Sequence, residues 1–198
     1  NNSLTTLDLN NCHNLTNLFC QNNKLSSLDI SMCSKLSLLY CQGNKLTSLT
    51  LGNASTLRDL DCSRNQLSSL IATSCTNLTR LECDNNNIRI LDISNSYNLG
   101  DLIWDNNPFE EINLGDVASI TFHNYVAGYK TTDYPYLRNA LNNSTKLKIT
   151  SSRYSRLDVS NNQLESLDIS QSPNIQELYC TYNNLTALDV TRLSLIHI

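Results

Sequence analysis

Apolar and polar positions recur along the chain with a step of 21 residues. Cys20, Cys41, Cys62 and Cys83 keep that step, and the next position in the file is Trp104. Asn23, Asn44, Asn65, Asn86 and Asn107 follow it, as do Leu15, Leu36, Leu57, Leu78 and Leu99. A further set, Leu28, Leu49, Leu70 and Leu91, leads to Ile112. One unit, Leu15 to Lys35, reads LTNLFCQNNKLSSLDISMCSK, or L-x-x-L-x-C-x-x-N-x-L-x-x-L-D-I-S in outline. Self-similarity at this period predicts a solenoid whose coils bury their apolar faces against one another. Within each unit, L-x-C and L-D-I alternate with period two, which predicts two short strands whose outer two side chains point inward. Equivalent strands of neighbouring coils would then stack about 4.8 Å apart in parallel sheets. Leu fills the inside of each coil. The invariant Asn is expected to turn inward and bond the backbone of neighbouring coils at the bend after the first strand.

The repeat falters after Asn107. Val117, Ile120 and Phe122 still fit L-x-x-L-x-L, but Tyr125 stands where Asn is due. The pattern resumes at Tyr154, Leu157, Val159 and Asn162. Asn107 and Asn162 are 55 residues apart, two units plus 13, so this stretch carries an insertion. Thr132 or Asp133 can N-cap a short helix with Pro135 in its first turn and Leu137 and Leu141 at i, i+4. Leu147 and Ile149 then form another L-x-I strand. Five of the nine tyrosines, Tyr125, Tyr129, Tyr134, Tyr136 and Tyr154, lie in this region.

The unit carried by Leu15, Leu18, Cys20, Asn23 and Leu25, and by their equivalents, resembles the leucine-rich repeat signature L-x-x-L-x-[L/C]-x-x-N-x-L. The resemblance covers nearly all the chain outside about residues 123–152. With its L-D-[L/I/V]-S second half, it is similar to a short bacterial subclass found largely in surface and secreted proteins. It lacks the L-P-x-L-P half associated with effector ubiquitin ligases. The resemblance implies a mainly β, right-handed, curved solenoid of about eight coils, with a parallel sheet on the concave side and one inserted helix-containing island. The organisation expected is repeats over 1–122, entered in mid-unit, a Tyr-rich insertion over 123–152, repeats over 153–192, and a tail over 193–198. That tail, LSLIHI, is what CTG-TCT-CTT-ATA-CAC-ATC encodes, and reads as a non-native library-adapter end. The whole reads as a fragment of a longer protein, with any signal segment outside it.

Composition follows from the repeat. The 198 residues include 34 Leu, 29 Asn and 24 Ser. Leu is too abundant for a disordered chain, and Gly and Pro too scarce for a flexible linker or collagen. The formal net charge is -4, without any Lys/Arg block, which argues against nucleic acid as a partner. No apolar run is long enough for a transmembrane helix.

The eight cysteines form two files, one at the inward strand position (Cys20, Cys41, Cys62, Cys83, Cys180) and one at a turn (Cys12, Cys33, Cys75). Neither has the short spacings of a zinc site, and stacked thiols one coil apart lie beyond disulfide geometry. They read as small core residues where Leu would overfill the coil. Disulfides in the turn file or a metal are the alternatives. Trp104, far larger, is expected to force a local bulge and to need a partner for its indole N–H.

No catalytic motif is present, and His13, His123 and His197 are isolated. Asp8, Asp29, Asp92, Asp168 and Asp189 follow the second-strand Leu and should point outward. A calcium ladder built on them would lack the glycine-rich pattern it requires. No cofactor is expected. What differs from coil to coil is the outward residue of the first strand, running Phe19, Tyr40, Asp61, Glu82, Ile103, Thr121, Asp158, Tyr179. Arg58 and Arg80 stand beside it. Tyr and Arg are frequent contact residues, while β-compatible surface positions explain the same stripe without a partner. The partner-binding set read from the sequence is Phe19, Tyr40, Arg58, Asp61, Arg80, Glu82, Ile103 and Tyr179, with Tyr129, Tyr134 and Tyr136 from the insertion. The function expected from the resemblance is non-enzymatic recognition of a protein, or a glycan, by a monomer at a bacterial surface or outside the cell. The alternative is a structural spacer for an enzymatic or anchoring domain.

Overall fold

A computed structural model describes residues 2–115, 121–124, 129–131, 135, 137, 141 and 144–193. Strands appear where the period-two segments lie. The first nine have three residues each: β1 Asn17–Phe19, β2 Ser27–Asp29, β3 Leu38–Tyr40, β4 Ser48–Thr50, β5 Asp59–Asp61, β6 Ser69–Ile71, β7 Arg80–Glu82, β8 Ile90–Asp92 and β9 Asp101–Ile103. There follow β10 Glu111–Gly115, β11 Thr121–Asn124, β12 Tyr129–Thr131, β13 Lys146–Ser151, β14 Arg156–Asp158, β15 Ser166–Gln171 and β16 Glu177–Tyr179. Each regular coil passes once through a first face and once through a second; the coil between β10 and β13 carries the additional strand β12 on the first face. Among the described residues seven coils carry a strand on the second face, where about eight coils were expected.

Pairing between coils is parallel and keeps the sequence period. On the first face Leu18 pairs with Leu39, Leu39 with Leu60, Leu60 with Leu81 and Leu81 with Leu102. The order there is β1-β3-β5-β7-β9-β11-β12, with β14-β16 separate. On the second face β6, β8, β10, β13 and β15 form one sheet, and β2 pairs with β4. Inward Leu side chains from both faces meet in a single stacked core, in which Leu39, Leu60, Leu81 and Leu102 are fully buried. Burying each such side chain is worth roughly 1.5–3 kcal/mol, so stability accumulates coil by coil.

The Asn file supplies the bonds that the bend needs. Asn65 accepts the Leu46 N–H at 3.0 Å and donates to the carbonyls of Cys41 and Cys62 at 3.1 Å each. Asn44, Asn86 and Asn107 repeat the arrangement. One amide thereby satisfies backbone groups of two coils that no water reaches. The second-strand aspartates serve their own turns: Asp29, Asp92, Asp168 and Asp189 each accept the N–H two residues ahead, at 2.8–3.0 Å.

Trp104 is accommodated without the expected bulge. β9 keeps regular register with β7 on one side and β11 on the other. The indole is fully buried against Phe109, ring centroids 5.9 Å apart. The register read from the sequence, with Phe122 next in this file, is off by two: Phe122 pairs with Leu102, and the next position is Asn124, in the antiparallel β11–β12 pair.

Among the described residues there is no helix. Most of the helix expected from Thr132 or Asp133 to Leu141 lies outside them, as do Val117, Ile120 and Tyr125. Where described, the segment behaves as a coil. Leu137 N–H donates to Asp158 at 2.7 Å and Asp158 N–H to Pro135 at 3.1 Å, the bonding of a parallel strand beside β14. Asn162 donates to the Leu137 carbonyl at 2.9 Å and accepts the Leu141 N–H at 3.2 Å. Leu137 and Leu141 thus stand where Cys20 and Leu25 stand in an ordinary unit. Their spacing suits a helix face equally well, and coil packing decides between the two. The additional chain adds β12 to the first face, while on the second face β10 pairs directly with β13 and β13 with β15.

Candidate functional site

The outward side chains of the first face separate into three zones. Phe19 on β1 is 55% exposed and meets Tyr40 on β3 edge to face, ring centroids 5.3 Å apart. Tyr40 donates its hydroxyl to Asp59 Oδ2 at 2.9 Å, which raises the tyrosine's pKa, with burial adding to the effect. At the far end Arg156 lies over the Tyr179 ring at 4.9 Å from its centroid and pairs with Glu177 at 2.9 Å. Between these aromatic ends lies the acidic centre.

Asp59 and Asp61 on β5 and Glu82 on β7 face one another across a single strand step, with Arg80 among them. Arg80 pairs with Glu82 and stands 3.9 Å from Asp59. Asp61 is 93% buried, being 7% exposed. Its Oδ1 accepts the Ser63 N–H at 3.0 Å and the Ser63 hydroxyl at 2.7 Å, which fixes its rotamer. A polar cavity of about 460 Å³ opens beside it, lined by Gln42, Asp61, Arg64, Glu82 and Asp84, with Ser63 and the αL turn residues around them. Burial, then the charge of Asp61, holds the Glu82 carboxyl above its ordinary pKa despite Arg80. Burial likewise raises Asp84, against the amide of Asn85 that bonds it. Gln42 Oε1 is buried there without a donor.

Of the residues read from the sequence, Tyr40, Asp61, Arg80 and Glu82 come together, with Phe19 beside them. Tyr179 belongs to the far zone. Arg58 stands apart, just ahead of β5, lining a separate depression with Asn77, Thr79 and Asn98. Ile103, on β9 between β7 and β11, is only 3% exposed. Tyr129 lies on β12; Tyr134 and Tyr136 fall outside the described residues. Gln42, Ser63 and Asp84 escaped the sequence reading. They follow the inward Cys, and by strand alternation that position returns to the outward stripe. Extending the stripe two residues further would have found them. No group of three His, Cys, Asp or Glu side chains among the described residues is placed to hold a metal ion, and all eight cysteines are free.

Comparison with solved structures gives the fold. The leucine-rich repeat domain of APL1B superposes with a TM-score of 0.55 at 14% identity, covering 98% of this chain and 60% of that one. The functional domain of InlJ from Listeria monocytogenes, which includes a cysteine ladder, gives 0.46 at 24% identity over 96% and 58%. The Leptospira interrogans leucine-rich repeat protein LIC12759 gives 0.47 at 17% over 99% and 58%. The chain therefore spans about three-fifths of the length of these structures, and its fold is the leucine-rich-repeat solenoid. No protein-family model and no curated protein matches the sequence. No helix among the described residues is long and apolar enough to cross a membrane.

Proposed function

We propose that this chain is a non-enzymatic protein-recognition module of a bacterial surface or secreted leucine-rich-repeat protein. The observation that carries the reading is the contrast between the two sides of each first-face strand. Inward positions repeat Leu on a constant register, while outward positions change from aromatic to acidic to mixed. A constant backbone with side chains that vary only on its open side is a scaffold for selecting a partner. Phe19 and Tyr40 offer an aromatic contact and Arg80 a charged one, and aromatic residues and arginine are enriched at interface centres. Tyr129, Tyr134 and Tyr136 belong to the same partner-binding set in this reading.

The test is a triple substitution, Phe19→Ser, Tyr40→Ser and Arg80→Ser, all at partly or fully exposed positions. Wild-type and substituted chains are compared for capture of purified host and microbial surface proteins on an array. A loss of ten-fold or more in capture supports the reading. Undiminished capture by a folded variant removes the first face from it.

A further inference from the structure

The cavity between β5 and β7 is suited to one kind of ligand group. Its lining sets three carboxylates, Asp61, Glu82 and Asp84, against one guanidinium, that of Arg64. Two oxygens there have acceptor capacity to spare. Gln42 Oε1 is buried without a donor. Asp61, nine-tenths buried, uses Oδ1 on Ser63, and no described group hydrogen-bonds its Oδ2. The Gln42 oxygen, buried and unmatched, costs about 1–3 kcal/mol, so a donor arriving from outside is favoured. The volume of about 460 Å³ compares with ~30 Å³ for one water, room for a side chain and its waters. The wall is polar, which disfavours an apolar group.

We propose that this cavity receives a basic side chain, arginine in preference to lysine, from an extended segment of a protein partner, while an apolar side chain of the same segment lies on Phe19. The inference rests on the recognition reading above and names the partner's chemistry. Arginine is preferred because the acceptors sit on separate residues, and a planar group with five donors reaches several at once. The molecule already uses this chemistry next door, where Arg80 is held between Glu82 and Asp59. Phe19 on β1 lies two strand steps from Asp61 on β5 and three from Glu82 on β7. At about 4.8 Å per step that is roughly 10–14 Å, or about three to four residues of an extended segment crossing the strands. The motif is thus an apolar residue and an arginine three or four positions apart.

Fluorescence polarisation with labelled nonapeptides tests this. Each peptide carries one leucine and one arginine in a Gly/Ser background, with their spacing varied from one to six. Affinity is expected to peak at a spacing of three or four. It should fall at least ten-fold when citrulline replaces arginine, and at least ten-fold in Asp61→Asn or Glu82→Gln. The Asn variant keeps the oxygen that Ser63 bonds, so its turn is retained, and circular dichroism checks both folds. Acidification should weaken binding from above the ordinary carboxylate range, because Glu82 and Asp84 take up protons early. Binding indifferent to citrulline or to both variants overturns the inference, as does failure of every peptide to bind. If array capture falls in the Phe19/Tyr40/Arg80 variant but not in Asp61→Asn or Glu82→Gln, recognition stands and the arginine cavity does not. Undiminished capture in all of them defeats both.

Discussion

At Arg64 a repeated backbone conflicts with the side chain it carries. The turn after each first-face strand places one residue in the left-handed region: Asn22, Gly43, Arg64, Asn85, Asn106, Asn161 and Tyr182, with φ between 53° and 67°. Asn and Gly tolerate that region, whereas an ordinary L-residue loses about 1–2 kcal/mol there. Arg64 therefore holds strain that its neighbours in the file avoid, at the rim of the acidic cavity. Arg64→Asn is expected to stabilise the chain by about 0.5–1 kcal/mol, read as a higher urea midpoint. An unchanged or lower midpoint would show that attraction to Asp84 outweighs the strain. Gly115 in the second-face turns shows the opposite case. A Cβ there would lie 2.5 Å from the Ser94 carbonyl oxygen, so only glycine fits.

Strands and bends were legible to different depths. The 21-residue register, the inward Leu and Cys files and the bonding role of Asn could all be read from spacing, because each is repeated enough times to average out local choice. The coil through Pro135, Leu137 and Leu141 could not. It occurs once, and its spacing satisfies a helix as readily as a strand and bend. The acidic cavity was half legible, since Asp61 and Glu82 lie in strands while Gln42 and Asp84 lie one turn beyond. The Asn file is where an element depends most on one side chain. Asn65→Leu would leave the Leu46 N–H unmatched in a buried bend and take one of two Asn donors from each of the Cys41 and Cys62 carbonyls, which keep Asn44 and Asn86. The expected loss is about 2–4 kcal/mol. Asn23→Leu, at a bend that water reaches, should cost less than half as much. Equal losses from the two in chemical denaturation would refute the burial argument.

Over the whole molecule, each coil is supported only by the coils beside it, so protection should rise from the ends inward. The cysteines are natural reporters of this. Cys12 and Cys180 are half-buried, and the other six are buried. Burial raises the Cys20 and Cys75 thiols to about 11 and Cys41 and Cys83 well above the ordinary value. Only the thiolate attacks, so iodoacetamide at pH 8 should label Cys12 and then Cys180 promptly. Cys20 should follow, with Cys62 last, at a rate set by unfolding. Simultaneous labelling of Cys20 and Cys62, followed by mass spectrometry, would instead mean that all coils open together.

The two faces also differ in what they let change. β10 meets β13 directly on the second face, although 30 residues separate Gly115 from Lys146 on the way through the first. Downstream coils therefore keep their phase whatever length the chain adds between those points, provided that it returns to the same start. A gene for such a molecule can gain or lose codons in that interval without a compensating change elsewhere. The same edit made in a second-face strand would fall inside the paired register that carries the coil stack. New binding material is thus most readily acquired on the face that already varies.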